Sequence, residues 1–274
     1  MSRPLILYHA ACADGFASCW AAWRKYGSDA DYLPVRYNEP PPPEALAGNR
    51  QVFILDFSYP RDVILALAAA NDRVVCLDHH RSAQQDIAGL TADDLTITFD
   101  MAKSGARLSW EHFHPTEQPS WLVDYVEDRD LWKWKLSKSR EVSAAIGSHP
   151  FDFGLWNDWH QNEYSWFHDL AKEGSAILRY QSNVVASAVK NATETTIGGH
   201  RVLAVNATSL QSEIAGELAA GRPFGACFVV NAQGRKVYSL RSRDGGIDVS
   251  EVAKSLGGGG HKAASGYTEP ADPH

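Results

Sequence analysis

Three short apolar runs constrain this chain more than any other feature: PLILYHA, QVFILDFS and RVVCLDHH. Each is strand-sized, and a stretch with helical spacing separates it from the next. DGFASCWAAWRKYG follows the first, with Phe16, Trp20 and Trp23 on one helical face and Gly27 as the stop. PRDVILALAAAN follows the second and opens on Pro60, a residue suited to a first helical turn. LTITFD reads as a fourth strand, SGARLSWEHF as a helix capped by Ser104, and EPPPPEALAGN as a loop. Alternation of this kind predicts an α/β fold, with a mostly parallel sheet between two layers of helices.

From Leu136 to Asn191 the strand pattern disappears, and NEYSWFHDLAKEGSAILRYQSNVVASAVKNA reads as a long connecting helix or helix pair. A second, smaller α/β unit then begins, with HRVLAVNA, FGACFVVN and KVYSLRSR as strands. SLQSEIAGELAAG and DVSEVAKSLG are its helices. The expected division is a first domain over 1–135, a helical linker over 136–192 and a second domain over 193–274. Trp132, Trp134, Trp156, Trp159 and Trp166 crowd the middle stretch, and packing between domains explains them better than base stacking.

Composition narrows the partners. A net charge of −7 argues against a broad basic surface for long duplex DNA. Cys12, Cys19, Cys76 and Cys227 show no CxxC spacing, so reduced thiols in a cytoplasmic protein are expected, without a zinc ribbon. No apolar run approaches the roughly 20 residues of a membrane span. Nothing specifies a homodimer, although strand edges leave one open.

Polar residues gather at one end of the strands. His9 and then Asp14 follow the first, Asp56 closes the second, and Asp78, His79 and His80 close the third. Asp128 and Asp130 come from VDYVEDRDLW. The carboxyl ends of parallel strands line the ligand crevice of an open sheet, so these groups are expected to converge. Clustered carboxylates repel one another unless a cation sits among them. Carboxylate with imidazole suits Mn²⁺, Fe²⁺ or Mg²⁺, and two ions about 3.5–4 Å apart would share a bridging carboxylate. A lone acid at a strand end is commonly a helix cap, but caps do not explain consecutive histidines at the mouth of a buried strand.

LDHH between an apolar strand and a helix resembles the signature of the DHH phosphoesterase superfamily. HAACADGFAS is similar to that family's first motif, LDFS to its second and DYVEDRDLW to its fourth. GGGGHKAASGY resembles the glycine-rich motif of the accompanying DHHA1 domain. The resemblance implies a two-lobed, metal-dependent phosphohydrolase with a cleft between the lobes. By position, His9 and Asp56 would bind one ion, while Asp14, Asp56, His79 and Asp128 would bind another. Asp78 and His80 form the implied catalytic pair, Asp78 buttressing the histidines and His80 facing substrate. Asp130 is implied to be the lesser of its pair, bound to a nearby backbone group. Cys12 stands where that first motif offers an aspartate, and the spacing from His9 to Asp14 is one residue shorter than usual. A thiolate ligand, favouring Fe²⁺ or Zn²⁺, and a bystander thiol both remain open for Cys12.

In the second domain, Gly257, Gly258, Gly259 and Gly260 let the backbone turn its N–H groups toward an anion. Arg241, which fits the family's LRS position, would add a two-pronged grip on phosphate, with contacts from Ser242 and His261. The expected partner is a short oligonucleotide or small phosphorylated nucleotide, and the expected cofactor is Mn²⁺, with Fe²⁺, Zn²⁺ or Mg²⁺ as alternatives. Two other functions compete with this phosphoesterase: a pyrophosphatase or exopolyphosphatase, and a non-catalytic nucleotide or RNA binder.

Overall fold

The structure is a computed structural model that describes residues 2–37, 39–243 and 245–269. Chain contacts divide it into two units, Met1–Leu178 and Arg179–His274. Among the described residues no helix is long and apolar enough to cross a membrane, and all four cysteines are free.

The first unit runs β1 (Leu5–His9), α1 (Ala13–Tyr26), β2 (Asp31–Val35), α2 (Pro43–Leu46), β3 (Gln51–Leu55), α3 (Arg61–Ala70), β4 (Arg73–Asp78), α4 (Arg81–Asp86) and β5 (Leu95–Phe99). It continues through α5 (Gly105–Phe113), α6 (Trp121–Asp130), α7 (Ser139–Ile146), α8 (Phe153–Gln161) and the first part of α9 (Glu163–Lys190). Its five strands are all parallel, in the order β2-β1-β3-β4-β5. The α/β fold with a parallel first sheet is as the apolar runs required. Alternate residues feed two cores. Leu5, Leu7, Val52, Ile54, Val74 and Cys76 face α3, while Ile6, Phe53, Leu55, Val75 and Leu77 face α1, α5 and α6. Chain order reverses between β1 and β3, and a ligand crevice opens at such a switch point.

The stretch after Leu136 belongs to this unit and is no separate linker. Val142, Ile146, Trp156, Trp159 and Leu170 are buried in the same core as Trp20 and Trp110. Trp156 and Trp159 therefore pack inside the first unit. Each such side chain is worth roughly 3–5 kcal/mol by the usual cost of truncation, which ties α7 and α8 to the sheet. Only from Arg179 onward does α9 join the second unit.

The second unit contains the rest of α9, then β6 (Thr193–Ile197), β7 (His200–Asn206), α10 (Gln211–Leu218), β8 (Gly225–Val230), β9 (Lys236–Arg241), α11 (Val249–Ser255), β10 (Gly259–His261) and β11 (Ala264–Thr268). They build a six-stranded sheet ordered β10-β11-β9-β8-β7-β6, mostly antiparallel. One face packs Val202, Ala204, Tyr238 and Leu240 against α11. The other packs Val205 and Cys227 against α10 and the end of α9.

Candidate metal centre

Four segments of the first unit meet at the carboxyl end of its sheet. Asp56 lies at the centre, just past β3, with a left-handed φ of 63° and only 2% of its surface exposed. Left-handed backbone is uncommon outside glycine, although aspartate tolerates it better than most. The Asp56 carboxylate faces two donor sets. Its Oδ2 lies 3.4 Å from His9 Nδ1 and 3.5 Å from Cys12 Sγ. Its Oδ1 lies 3.2 Å from His79 Nε2, yet it is buried and accepts no hydrogen bond of good geometry. His79 Nε2 is also 3.4 Å from Asp14 Oδ2 and 3.5 Å from Asp130 Oδ2.

A helix start fixes Asp14. Ser104 caps α5 by accepting the Arg107 N–H. The next two N–H groups, of Gly105 and Ala106, donate to the two Asp14 oxygens at 2.8 Å each. Helix N-termini favour such carboxylates. Gly105 is needed here, because a Cβ would lie 2.6 Å from Asp56 Oδ1. Neither Gly105 nor Ala106 stands out in the sequence; their target is 91 and 92 residues away.

Asp78 is saturated by hydrogen bonds. Its Oδ1 accepts the backbone N–H groups of His79 and His80 and meets His80 Nδ1 at 2.7 Å; its Oδ2 accepts the Ser58 hydroxyl at 2.7 Å. The carboxylate thus organises the two histidines without being left open itself. Burial opposes charge on His80, but the bond to Asp78 outweighs it and raises the pKa to about 9. The far nitrogen, His80 Nε2, is 3.0 Å from the Tyr37 hydroxyl, and the Tyr37 ring packs 4.5 Å from that of His9. Tyr37 comes from a loop with no motif, so no local signal marks it.

The structure brings Asp130, and not Asp128, beside His79. Asp128 Oδ1 accepts the Lys135 N–H at 2.9 Å and Oδ2 the Leu136 N–H at 3.3 Å. Its carboxylate is therefore spent on shaping the turn after α6. Asp130 is the acid that reaches His79.

These groups fit divalent cations. Three clusters, His9–Cys12–Asp56, Asp56–His79–His80 and Asp14–His79–Asp130, each bring their donor atoms within 4.8 Å of one another. Burial and the charges of Asp56 and Asp130 push Asp14 well above the usual carboxylate range. Burial, with Asp56 close by, also raises Asp130. Asp56 moves the other way: burial opposes its charge, but His79 and His9 draw it down. Three carboxylates crowded in this way call for positive charge among them.

No protein-family model matches the chain. It is 29% identical over 284 residues to the uncharacterized protein R106 of Acanthamoeba polyphaga mimivirus, covering 96% of the chain and 66% of that relative. It is 25% identical over 215 residues to the oligoribonuclease NrnB of Bacillus subtilis, covering 72% of the chain and 53% of NrnB. The chain thus spans between half and two thirds of these curated relatives. RecJ of Thermus thermophilus, solved in complex with Mn²⁺, shares the fold, with a TM-score of 0.54 at 14% identity. That match covers 98% of the chain and 50% of RecJ. The chain thus shares its fold with RecJ.

In the second unit, Arg241, Ala264 and His261 form one row across β9, β11 and β10. Directly paired residues share a face, so Arg241 and His261 flank Ala264. Arg241 Nη2 donates to Ser212 Oγ at 2.7 Å, and the Ser242 hydroxyl donates to Lys262 O at 3.4 Å. The glycine run is divided between the end of α11 and a strand. Gly257 and Gly258 turn their N–H groups back to Lys254 O and Ala253 O, while Gly259 and Gly260 enter strand β10. Close packing requires Gly258, since a Cβ there would lie 2.1 Å from Gly266 O.

A divalent ion at about a hundred times its Kd should add roughly 2.7 kcal/mol to the first unit. For a unit of this size the melting temperature should rise by roughly 5–10 °C. Calorimetry with and without Mn²⁺ checks this, and His79→Ala should abolish most of the shift.

Proposed function

We propose that this chain is a metal-dependent phosphodiesterase acting on short oligonucleotides or small nucleotides. Asp56 carries the reading, because one buried carboxylate joins the His9–Cys12 set to the Asp14–His79–Asp130 set. Ions held by these two sets would activate a water and neutralise phosphoryl oxygens during in-line attack. The chain's own groups do the positioning. Gly105 and Ala106 hold Asp14; Asp78 holds both histidines. His80 Nε2 lies where a phosphoryl oxygen would take the place of the Tyr37 hydroxyl. In the second unit, Arg241, Ser242 and His261 are the residues suited to holding phosphate. Similarity to NrnB, named as an oligoribonuclease, supports the substrate class.

A substrate screen on metal-reconstituted protein tests this reading, covering short RNAs, linear and cyclic dinucleotides, 3′-phosphoadenosine nucleotides and pyrophosphate. Mn²⁺-dependent turnover of a dinucleotide, lost in His79→Ala, is expected. Phosphate release from pyrophosphate with none from a dinucleotide would favour a polyphosphate hydrolase. Binding without turnover under any divalent ion would favour a non-catalytic binder.

Trp132 supplies a candidate base platform. It lies two residues past Asp130, is 52% exposed and has a left-handed φ of 55°. Its ring meets Trp134 edge-on at 5.0 Å, and the Arg140 guanidinium sits 4.2 Å over Trp134. A bulky residue in that backbone region is held there by its surroundings. Trp132→Ala should raise the KM for a dinucleotide about tenfold, more than it lowers kcat, as expected for a lost base stack. Steady-state kinetics on linear dinucleotides measure this.

A further inference from the structure

The two donor sets around Asp56 differ in chemistry. One is oxygen-rich, with the Asp14, Asp56 and Asp130 carboxylates around His79 and with His80 beside Asp56 and His79. The other contributes a sulfur, an imidazole and a carboxylate: Cys12 Sγ lies 3.2 Å from His9 Nδ1 and 3.5 Å from Asp56 Oδ2. The sulfur is also held in place from behind. Cys12 is the N-cap of α1, and its Sγ accepts the Gly15 N–H at 3.2 Å. Gly15 in turn fits because it lacks a side chain; a Cβ there would lie 2.0 Å from His9 O. Hence the helix start, the glycine and the histidine together fix one sulfur beside the buried carboxylate. Cys19, Cys76 and Cys227 are fully buried in the apolar cores.

We propose that His9, Cys12 and Asp56 form a thiolate-containing position that takes a borderline divalent ion, Zn²⁺, Fe²⁺ or Co²⁺, in preference to Mg²⁺. Sulfur and imidazole donors select such ions, whereas the oxygen-rich position at Asp14 and Asp130 suits Mn²⁺ or Mg²⁺. The centre would then be mixed, with one soft and one hard position sharing Asp56. Binding replaces the S–H bond with a sulfur–metal bond and releases one proton to solvent per ion. This inference deepens the proposed phosphodiesterase reading, and it concerns which ion occupies which position.

Co²⁺ serves as the probe, added under anaerobic conditions to metal-free protein. A near-ultraviolet thiolate-to-cobalt charge-transfer band is expected to saturate at one equivalent. Cys12→Ser should lose that band while its circular dichroism stays native, because serine is a favoured N-cap. Asp130→Asn, which alters only the oxygen-rich position, should keep it. Zn²⁺ at near-stoichiometric concentration should remove the band, and about a hundredfold excess of Mg²⁺ should not, as the donor preference requires. Absence of the band in the parent protein overturns the proposal, as does its survival in Cys12→Ser or its removal by Mg²⁺. Mn²⁺-dependent turnover of bis-p-nitrophenyl phosphate is measured separately. Active protein without the band defeats this inference alone; inactive protein with the band defeats the phosphodiesterase reading alone.

Discussion

Asp56→Asn is expected to lower phosphodiester hydrolysis about a thousandfold, the scale of losing a group that both halves of the centre share. The substitution isolates charge. Asparagine tolerates the left-handed φ of 63° that this position adopts, and it matches aspartate in shape. What changes is that one oxygen becomes an amide nitrogen with two protons. The donor that faces His9 and Cys12, or the one that faces His79, is then lost to any cation. The count of bound ions should fall with activity, while the far-ultraviolet circular dichroism should match the parent. Retention of turnover within about tenfold would show that Asp56 joins nothing essential. Equilibrium dialysis beside kinetics separates a lost ion from a misplaced one.

Much of this centre is legible because strand ends are legible. The β1, β3 and β4 runs are apolar on both faces, so their termini are sharp, and a parallel sheet sends all those termini to one side. His9, Asp56, Asp78, His79 and His80 thus come together from sequence alone. Strands of other kinds hide. The β2 segment, DYLPV, carries Pro34 and lies at the sheet edge, where a missing N–H costs little. The β6 segment, TETTI, is exposed at every position but the last and shows no apolar signature. Residues 136–178 read as a connector because their apolar residues are spaced for short helices, and nothing local says that Trp156 and Trp159 fill the first unit's core. The glycine run is ambiguous for a related reason. Glycine marks freedom and close approach alike, and here Gly258 serves a close approach to Gly266. Contacts across long sequence separations, such as Gly105 and Ala106 with Asp14, leave no local trace.

Asp128 and Asp130 show the limit most sharply, and they give the second large effect. The two acids end α6 and lie two residues apart, roughly 200° around the helix, so at most one can face the sheet edge. Only the packing of α6 against α1 and α5 decides which. Asp130→Asn is expected to reduce activity by about a hundredfold, the scale seen when a metal site's supporting carboxylate is altered. Its metal-free form should melt no lower than the parent, because neutralising Asp130 relieves repulsion with Asp14 and Asp56. Asp128→Asn should do the opposite. Asparagine cannot accept both the Lys135 and the Leu136 N–H groups, and an unpaired buried group costs about 1–3 kcal/mol. A fall in melting temperature of roughly 3–10 °C follows for a unit of this size, with activity per folded molecule largely kept. Kinetics and melting curves on the two variants side by side decide the matter. If Asp128→Asn instead abolished turnover at full stability, and Asp130→Asn did not, the α6 acid that faces the ions would be Asp128, and the turn after α6 would have to be redrawn.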